Sequence, residues 1–200
     1  MKRFFCGIFF MFFRKKKRLK EDEKKEIRLS VHALKKMISE EDKESNSNAV
    51  FSAIEKMDFY KKAQTILLYW SISSELPTHD YLSKWSNSGK KIFLPAIKGN
   101  ELHVKQFIDK GNLGKGSLGI SEPLSENYTG TIDLIIVPGI AFDRQKNRMG
   151  RGKGYYDRFL KSQNGTKIGV GYDCQLFEEI PTYWGDVKMD VIITPSNTIS

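Results

Sequence analysis

Six short apolar segments, separated by helical or polar stretches, most constrain the fold of this 200-residue chain. Each spans five or six residues, a usual length for a buried strand, and DLIIVP is the strongest because it is rich in β-branched residues and ends at Pro138-Gly139. Strands that alternate with helices are typical of α/β proteins. The sequence therefore predicts an α/β fold: a layered domain with a central, largely parallel sheet flanked by helices. The strand candidates are ILLYW (66–70), KIFLP (91–95), LHVKQF (102–107), DLIIVP (133–138), KIGVGY (167–172) and VIITP (191–195).

Helices and loops are predicted between these strands. Apolar residues recur every three or four positions over 21–38, which is typical of an amphipathic helix, and a second helix is expected at about 50–57. The polar stretch 39–48 is interpreted as a loop that opens this second helix. A further helix is predicted at 77–85. Residues 108–130 are rich in Gly, Ser and Asn and are expected to form a long surface excursion.

The first 20 residues differ from the rest of the chain in charge. They contain eight Lys or Arg residues and no acidic residue, so they supply eight of the nine net positive charges and leave the body near +1. A nearly neutral body excludes a chain-wide basic surface, and no nucleic-acid partner is expected. Cys6 and Cys174 form neither a disulfide framework nor a zinc motif, so a cytoplasmic location is expected.

The same leader, residues 1–20, contains an apolar run at 4–13 that is about half as long as a membrane-spanning helix requires. Three interpretations stay open for it: a non-native extension from an upstream start, a peripheral membrane contact, or an uncleaved anchor. We expect no stable membrane insertion and no role for the leader in function. Residues 21–200 show no repeat or linker, so they are expected to form one functional domain.

The most unusual segment follows the strongest strand candidate. Its glycines alternate with basic residues and precede YYDRFL, which can begin a helix; the residues are Arg148, Gly150, Arg151, Gly152, Lys153 and Gly154. Alternating glycines bring backbone N–H groups close to a ligand, and the adjacent cations and helix start favour an anion. The pattern is neither a Walker A loop nor a dinucleotide-binding fingerprint. A polyphosphate site is favoured over a flexible basic surface loop, because Asp157 could hold Mg²⁺ beside phosphate.

These residues resemble a known family. PGIAFD (138–143) and NRMGRGKGYYDRFL (147–160) are similar to the hallmark segment of the 5-formyltetrahydrofolate cyclo-ligases, also called methenyltetrahydrofolate synthetases. The resemblance extends to TILLYWSISSELPT (65–78) and to DVKMDVIITP (186–195), and it covers about residues 24–195 in the expected order. It implies a fold like that of the sugar-phosphate isomerases and CoA-transferases.

The resemblance also implies an activity. A cyclo-ligase closes 5-formyltetrahydrofolate into 5,10-methenyltetrahydrofolate with ATP and Mg²⁺, through an N5-iminium phosphate, and releases ADP and phosphate. The expected partners are small molecules only, and a monomer is expected. No covalent enzyme intermediate is needed, which agrees with the absence of a Ser or Cys nucleophile motif.

Individual roles follow from the same resemblance. Lys24 and Arg28, one helical turn apart, are expected to bind ATP together with Arg148, Tyr155, Tyr156 and residues 150–154, the glycine loop. Glu75 is expected to accept hydrogen bonds from the pterin, with Trp70 as an apolar wall, and the segment 151–155 to contact the substrate. The expected catalytic residues are Arg151, Lys153 and Tyr155.

The metal ligands are less closely defined by the pattern. Asp157 is the first choice for Mg²⁺ and Asp186 the second, with Asp190 as the competitor of Asp186. Asp143 is interpreted as a turn residue that shapes the loop. Three alternatives are kept: a sugar-phosphate isomerase or CoA-transferase relative, an RNA- or membrane-binding module driven by the leader, and an inactive paralogue.

Overall fold

The structure is a computed structural model that describes the backbone of residues 2–200 and the side chains of residues 18–200. The side chains of the apolar run at 4–13 therefore lie outside the described part of the chain. The helices are α1 (Lys2–Lys36), α2 (Glu40–Lys56), α3 (Asp58–Lys62), α4 (His79–Asn87) and α5 (Tyr155–Leu160). Among the described residues, no helix has both the length and the apolar character needed to cross a membrane.

Twelve strands complete the fold. They are β1 (Thr65–Leu67), β2 (Lys91–Lys98), β3 (Glu101–Gln106), β4 (Leu113–Lys115), β5 (Ser121–Pro123), β6 (Leu134–Pro138), β7 (Ala141–Asp143), β8 (Arg148–Met149), β9 (Thr166–Val170), β10 (Leu176–Phe177), β11 (Val191–Ile193) and β12 (Thr198–Ile199). Seven of them form the central sheet in the order β12-β11-β9-β6-β1-β2-β3.

The central sheet is parallel through its interior. The four pairings that join β11, β9, β6, β1 and β2 are all parallel, whereas β3 and β12 pair antiparallel at the two edges. A mostly parallel sheet needs cover on both faces. The α/β architecture predicted from the spacing of the apolar segments is confirmed.

Both faces of the sheet are buried, because neighbouring residues of each interior strand point to opposite sides. In β6, Leu134 and Ile136 pack in one apolar cluster, with Val50 and Phe51 of α2. Ile135 and Val137 pack in the other, which contains Leu160 of α5. The consecutive buried residues of DLIIVP thus reflect cover on two sides rather than alternation.

Two predicted loops contain regular structure. The stretch 39–48 was interpreted as a loop, but α2 begins at Glu40, and the Ser39 hydroxyl oxygen accepts a hydrogen bond from the Asp42 amide at 3.0 Å. A serine followed three residues later by an acid is a helix-start signal, which explains the difference. The excursion at 108–130 contains a short 3₁₀ helix (Lys110–Asn112) and the antiparallel pair β4–β5.

Candidate active site

A large open cleft lies where strand order reverses in the central sheet. The chain passes from β1 to β2 on one side and returns to β6 on the other, so the carboxyl ends of β1 and β6 border a crevice. Trp70 follows β1 and Gly139 follows β6, and both line this large cleft of about 960 Å³, its mouth included. Its apolar wall comprises Trp70, Pro95, Ile97, Leu102, Leu118 and Ile120. The cleft therefore offers flat apolar surface beside the glycine loop.

The glycine loop reaches the cleft through backbone conformations that side chains disfavour. Gly152 has φ 92° and Gly154 has φ 67°, both in the left-handed region, and Gly154 directly precedes α5. A Cβ built on Gly152 would lie 3.6 Å from Nη2 of Arg28. The loop thus lies against α1, and Arg28 and the loop are brought together as the resemblance implies.

Arg151 and Glu75 meet although 76 residues separate them. Arg151 Nη2 donates to Glu75 Oε1 at 2.8 Å, with 49% of the arginine side chain and 14% of the glutamate exposed. The other carboxylate oxygen of Glu75 accepts a hydrogen bond from the Ile72 amide at 3.2 Å. The predicted phosphate ligand and the predicted pterin ligand therefore form one ion pair within the large cleft.

Arg148 and Asp157 form a second ion pair, deeper in the same cleft. Arg148 is 4% exposed, and its Nη2 donates to Asp157 Oδ1 at 3.0 Å. Its guanidinium also lies over the Tyr156 ring, 5.5 Å from the centroid. Arg148 was predicted to clamp phosphate directly, but its observed contacts hold the base of the loop and the carboxylate. That carboxylate can still face a ligand, because Asp157 lines the cleft.

The two loop tyrosines, Tyr155 and Tyr156, both line the cleft. The Tyr155 hydroxyl donates to the Gly99 carbonyl at 3.5 Å, and the Arg158 guanidinium lies 5.4 Å from its ring centroid. The Tyr156 hydroxyl is buried and has no hydrogen-bond partner among the described residues. Burial, followed by the negative charge of Glu75, raises the pKa of Tyr156. Tyr156 therefore stays a neutral donor at any physiological pH.

Lys24 lies apart from the lining of the large cleft in the described structure. It is 6% exposed, its Nζ lies 3.6 Å from Asp186 Oδ2, and it sits 3.9 Å above the Tyr183 ring. The Tyr183 amide also donates to Asp186. Lys24 and Asp186, predicted as phosphate and metal ligands, thus contact each other. Their roles toward ligands stay predictions.

Asp190 lies at the opposite end of the sheet from the cleft. Its carboxylate accepts a hydrogen bond from the Lys167 amide at 2.7 Å, beside the start of β9 and directly before β11. Asp143 behaves as interpreted from the sequence, because its fully buried carboxylate accepts hydrogen bonds from Gln145, Asn147 and Ile180. Neither aspartate is placed to contact a ligand in the large cleft.

A second, basic recess adjoins the large cleft. Arg28, His32 and Lys35 project into it from α1, and Arg151 and Ile140 line both cavities. Its empty space is about 610 Å³, and no carboxylate belongs to the lining found among the described residues. Lys35 was missed by sequence reasoning, because a lysine near the end of an amphipathic helix usually lies on its solvated face.

The donor set near the glycine loop fits a magnesium ion held by one carboxylate. Asp157 Oδ2 accepts no hydrogen bond from a described residue, and 22% of the side chain is exposed. Among the described residues no three His, Cys, Asp or Glu side chains cluster closely enough to hold a metal. Magnesium commonly binds one or two carboxylates and completes its shell with water and substrate phosphates. A single Asp157 ligand suffices for such a site.

Comparison with known proteins gives a consistent result. The profile of the 5-formyltetrahydrofolate cyclo-ligase family matches residues 20–195. A probable 5-formyltetrahydrofolate cyclo-ligase from Caenorhabditis elegans is 31% identical over 90% of this chain and 96% of its own length. The 5-formyltetrahydrofolate cyclo-ligase of Escherichia coli is 30% identical over 67% of this chain and 79% of its own.

A solved structure agrees with these sequence relatives. The NMR structure of Aquifex aeolicus 5,10-methenyltetrahydrofolate synthetase superimposes with a TM-score of 0.78 at 36% identity, covering 88% of this chain and 91% of that one. The order of motifs, the cleft at the strand-order reversal and the family profile all agree. The chain belongs to the 5-formyltetrahydrofolate cyclo-ligase family.

Proposed function

We propose that the protein uses ATP and Mg²⁺ to cyclise 5-formyltetrahydrofolate to 5,10-methenyltetrahydrofolate, releasing ADP and phosphate. One observation supports this most directly: the basic glycine loop and Glu75 meet in one cleft, through the 2.8 Å contact between Arg151 and Glu75. A sugar-phosphate isomerase would need no such pairing of a polyphosphate loop with an apolar ring site. A cytoplasmic, monomeric enzyme is part of the same proposal.

The folate side of the site comprises Glu75 and the apolar wall. The pterin presents an amino group and a ring N–H side by side, and a carboxylate can accept both hydrogen bonds at once. Trp70 stands beside Glu75 in the cleft lining and stacks on His79, with 4.1 Å between ring centroids. That stack fixes the indole as one wall of a slot for a flat ring.

The nucleotide side comprises the glycine loop and α1. Backbone N–H groups of 150–154 can approach phosphate oxygens closely because no side chain intervenes at the three glycines. Arg151 and Lys153 line the cleft at the same loop and can neutralise charge as the γ-phosphoryl group moves. Arg28 adds a third cation from α1, on the side that faces Gly152.

Asp157 would hold the magnesium ion, and Arg148 would hold Asp157. A bound Mg²⁺ would supply positive charge that offsets the charge of the ATP phosphates. The buried Arg148 guanidinium fixes one oxygen of the carboxylate, and the other accepts no hydrogen bond from a described residue. Asp186 as the second magnesium ligand is part of the same proposal.

The reaction would proceed in two displacements. The formyl oxygen attacks the γ-phosphorus, the bond to ADP breaks, and an N5-iminium phosphate forms. The N10 amine then attacks the former formyl carbon, its proton leaves, and the carbon–oxygen bond breaks with release of phosphate. The protein's part is to align both substrates and to stabilise phosphoryl charge, through Arg151, Lys153 and a hydrogen bond from the Tyr155 hydroxyl.

The direct test is the absorbance of methenyltetrahydrofolate formed from 5-formyltetrahydrofolate, with ATP or Mg²⁺ omitted in turn. Product should appear only when both are present. Product formed without ATP, or no product under any condition, would contradict the proposal. Omission of Mg²⁺ with full activity retained would contradict the metal part alone.

The leader provides a second test, because an RNA- or membrane-binding module driven by residues 1–20 would lose its function without them. Lys20, assigned to the leader from the sequence, donates to the Thr182 carbonyl at 2.9 Å, so the deletion should end at Leu19. We expect the truncated protein to keep near-normal turnover. Loss of turnover in a folded truncation would assign the leader a functional role.

A further inference from the structure

Lys35 is a buried cation without a counterion in the described structure. It is 7% exposed and lines the basic recess, and no described carboxylate or carbonyl accepts a hydrogen bond from its ammonium. The other two buried cations, Lys24 and Arg148, are each paired with an aspartate. Lys35 therefore differs from its buried counterparts, and its position needs a separate explanation.

The geometry of α1 directs Lys35 and Arg28 to the same recess. Seven residues are two helical turns, so the two Cα atoms lie on one face about 10 Å apart. His32 lies between them on the same lining, and Arg151 enters from the glycine loop. The Arg28 Nε is also buried without a partner among the described residues. Two cationic groups on one helix face are thus left without acceptors beside the loop.

Keeping such a cation buried is costly in the absence of a ligand. Burial lowers the pKa of Lys35; the charges of Glu75 and Cys174 oppose this shift, and that of Arg151 adds to it. The Nζ atom itself is not fully enclosed, but its lost hydration is not offset by any described hydrogen-bond acceptor. An anion that enters the recess would remove the cost and gain charge-assisted hydrogen bonds.

We propose that Lys35 is a positioning residue for the phosphate chain of the nucleotide, an assignment that rests on the proposed function. A phosphate chain fits better than a carboxylate tail, because the recess adjoins the glycine loop and shares Arg151 with the large cleft. Arg28 and Lys35 also enter the recess from positions two turns apart on α1. Cations spaced in this way suit an extended ligand with several anionic groups. Lys35 thus extends the phosphate site beyond the loop and Arg28.

The test compares Lys35→Met with Lys36→Met, because Lys36 is the next residue of α1 and is exposed. ATP affinity is measured by titration calorimetry without folate, and KM for both substrates by the absorbance assay. Loss of one hydrogen bond to a charged group should weaken ATP binding about ten- to a hundredfold in Lys35→Met. Lys36→Met should match the unmodified protein, Lys35→Arg should restore most of the affinity, and KM for 5-formyltetrahydrofolate should be unchanged.

Thermal unfolding separates a binding role from a structural one. Without ATP, Lys35→Met should unfold at or above the temperature of the unmodified protein, and its ATP-induced stabilisation should be smaller. If Lys35→Met does not fold, Lys35→Gln keeps a polar, uncharged side chain that is one atom shorter and provides the same comparison.

The possible failures are distinguishable. Equal ATP affinity in Lys35→Met and Lys36→Met would overturn the assignment while leaving the proposed reaction intact. A raised KM for polyglutamylated folate, with ATP affinity unchanged, would instead assign Lys35 to the carboxylate tail and also overturn it. No ATP binding by the unmodified protein would contradict both the assignment and the proposed function.

Discussion

The large cleft and the basic recess share Arg151 and Ile140 but differ in chemistry. The cleft has an apolar wall of six side chains together with carboxylates, whereas the recess has Arg28, His32, Lys35 and Arg151 and no carboxylate in its described lining. An apolar slot suits a flat ring, and a cationic recess suits phosphate. The cleft thus combines an apolar ring site with the glycine loop, whereas the recess offers cations from α1 beside Arg151, the one cation that lines both cavities among the described residues.

The largest effect is expected at that shared residue. Arg151→Ala should lower turnover by about a hundred- to a thousandfold, because it removes a preorganised cation from developing phosphoryl charge. Lys153→Ala, which changes the large cleft alone, should have a smaller effect. Both are measured by steady-state methenyltetrahydrofolate formation.

Arg144→Ala is the matched control for Arg151→Ala. Arg144 is also about half exposed and also pairs with a glutamate, Glu178, at 2.8 Å, but it lines neither cavity. Its loss should leave turnover unchanged. Equal effects of the two substitutions would show that the glycine-loop arginine has no special role and would remove the basis of the comparison.

The next effect is confined to the large cleft. Glu75→Gln should raise KM for 5-formyltetrahydrofolate about ten- to a hundredfold, because a neutral amide replaces a charge-assisted acceptor. ATP affinity should not weaken, since Arg151 is freed from its ion pair. An unchanged folate KM in a folded variant would contradict the pterin assignment, and Glu178→Gln serves as the surface control.

The dependence of turnover on Mg²⁺ concentration tests which aspartate, Asp157 or Asp186, binds the ion. Asp157→Asn should raise the Mg²⁺ concentration for half-maximal turnover by about tenfold, equivalent to about 1.4 kcal/mol. Asp186→Asn should shift it less, because Asp186 pairs with Lys24. Equal shifts would show that both aspartates hold the ion. Thermal unfolding is measured in parallel, since Asp157→Asn also leaves the buried Arg148 without its counterion.

The smallest effect is expected away from both cavities, at Asp133 on the amino-terminal side of the sheet. Its carboxylate loses solvation, which raises the pKa, but hydrogen bonds from Thr65 and Gln64 outweigh this and hold the pKa below its ordinary value of 3.8. This stabilisation is therefore complete above pH 3.8 and is lost as the pH falls through the lower, folded value.

Asp133→Asn should consequently reduce thermal stability near neutral pH and leave turnover intact. A domain of this size loses about 2–4 °C in Tm for each kcal/mol. The difference from the unmodified protein should shrink in acid, as followed by circular dichroism. A large loss of turnover at an unchanged Tm would mean that the amino-terminal side of the sheet takes part in the reaction.

The sequence was informative where a pattern is local. The apolar segments predicted the central sheet, and the glycine spacing identified the loop that lines the cleft, because backbone conformation depends on neighbouring residues. The partner that each side chain contacts could not be predicted from such local patterns. Arg148 was expected to face phosphate, yet it pairs with Asp157, and no spacing rule distinguishes these two partners.

Lys35 is a second residue whose surroundings could not be predicted from the local sequence, in this case on a helix. Its sequence neighbourhood is that of a solvated helix end, and its burial arises from the tertiary packing of α1, which contacts β7 and the 3₁₀ helix Asp173–Gln175. The surface excursion expected at 108–130 also contains the pair β4–β5, which its Gly-, Ser- and Asn-rich composition did not predict. Amino-acid composition indicates how polar a segment is, but it does not identify the segment against which it packs.

The three tryptophans occupy three different environments, and this gives the molecule an optical property. Trp85 is fully buried, Trp184 is fully exposed, and only Trp70, stacked on His79, borders the large cleft. A ligand in the cleft changes the surroundings of one indole and leaves the other two as constant background. Intrinsic fluorescence should therefore report folate binding without a label, and replacement of Trp184 by Phe should sharpen that signal by removing the emission of the solvated indole.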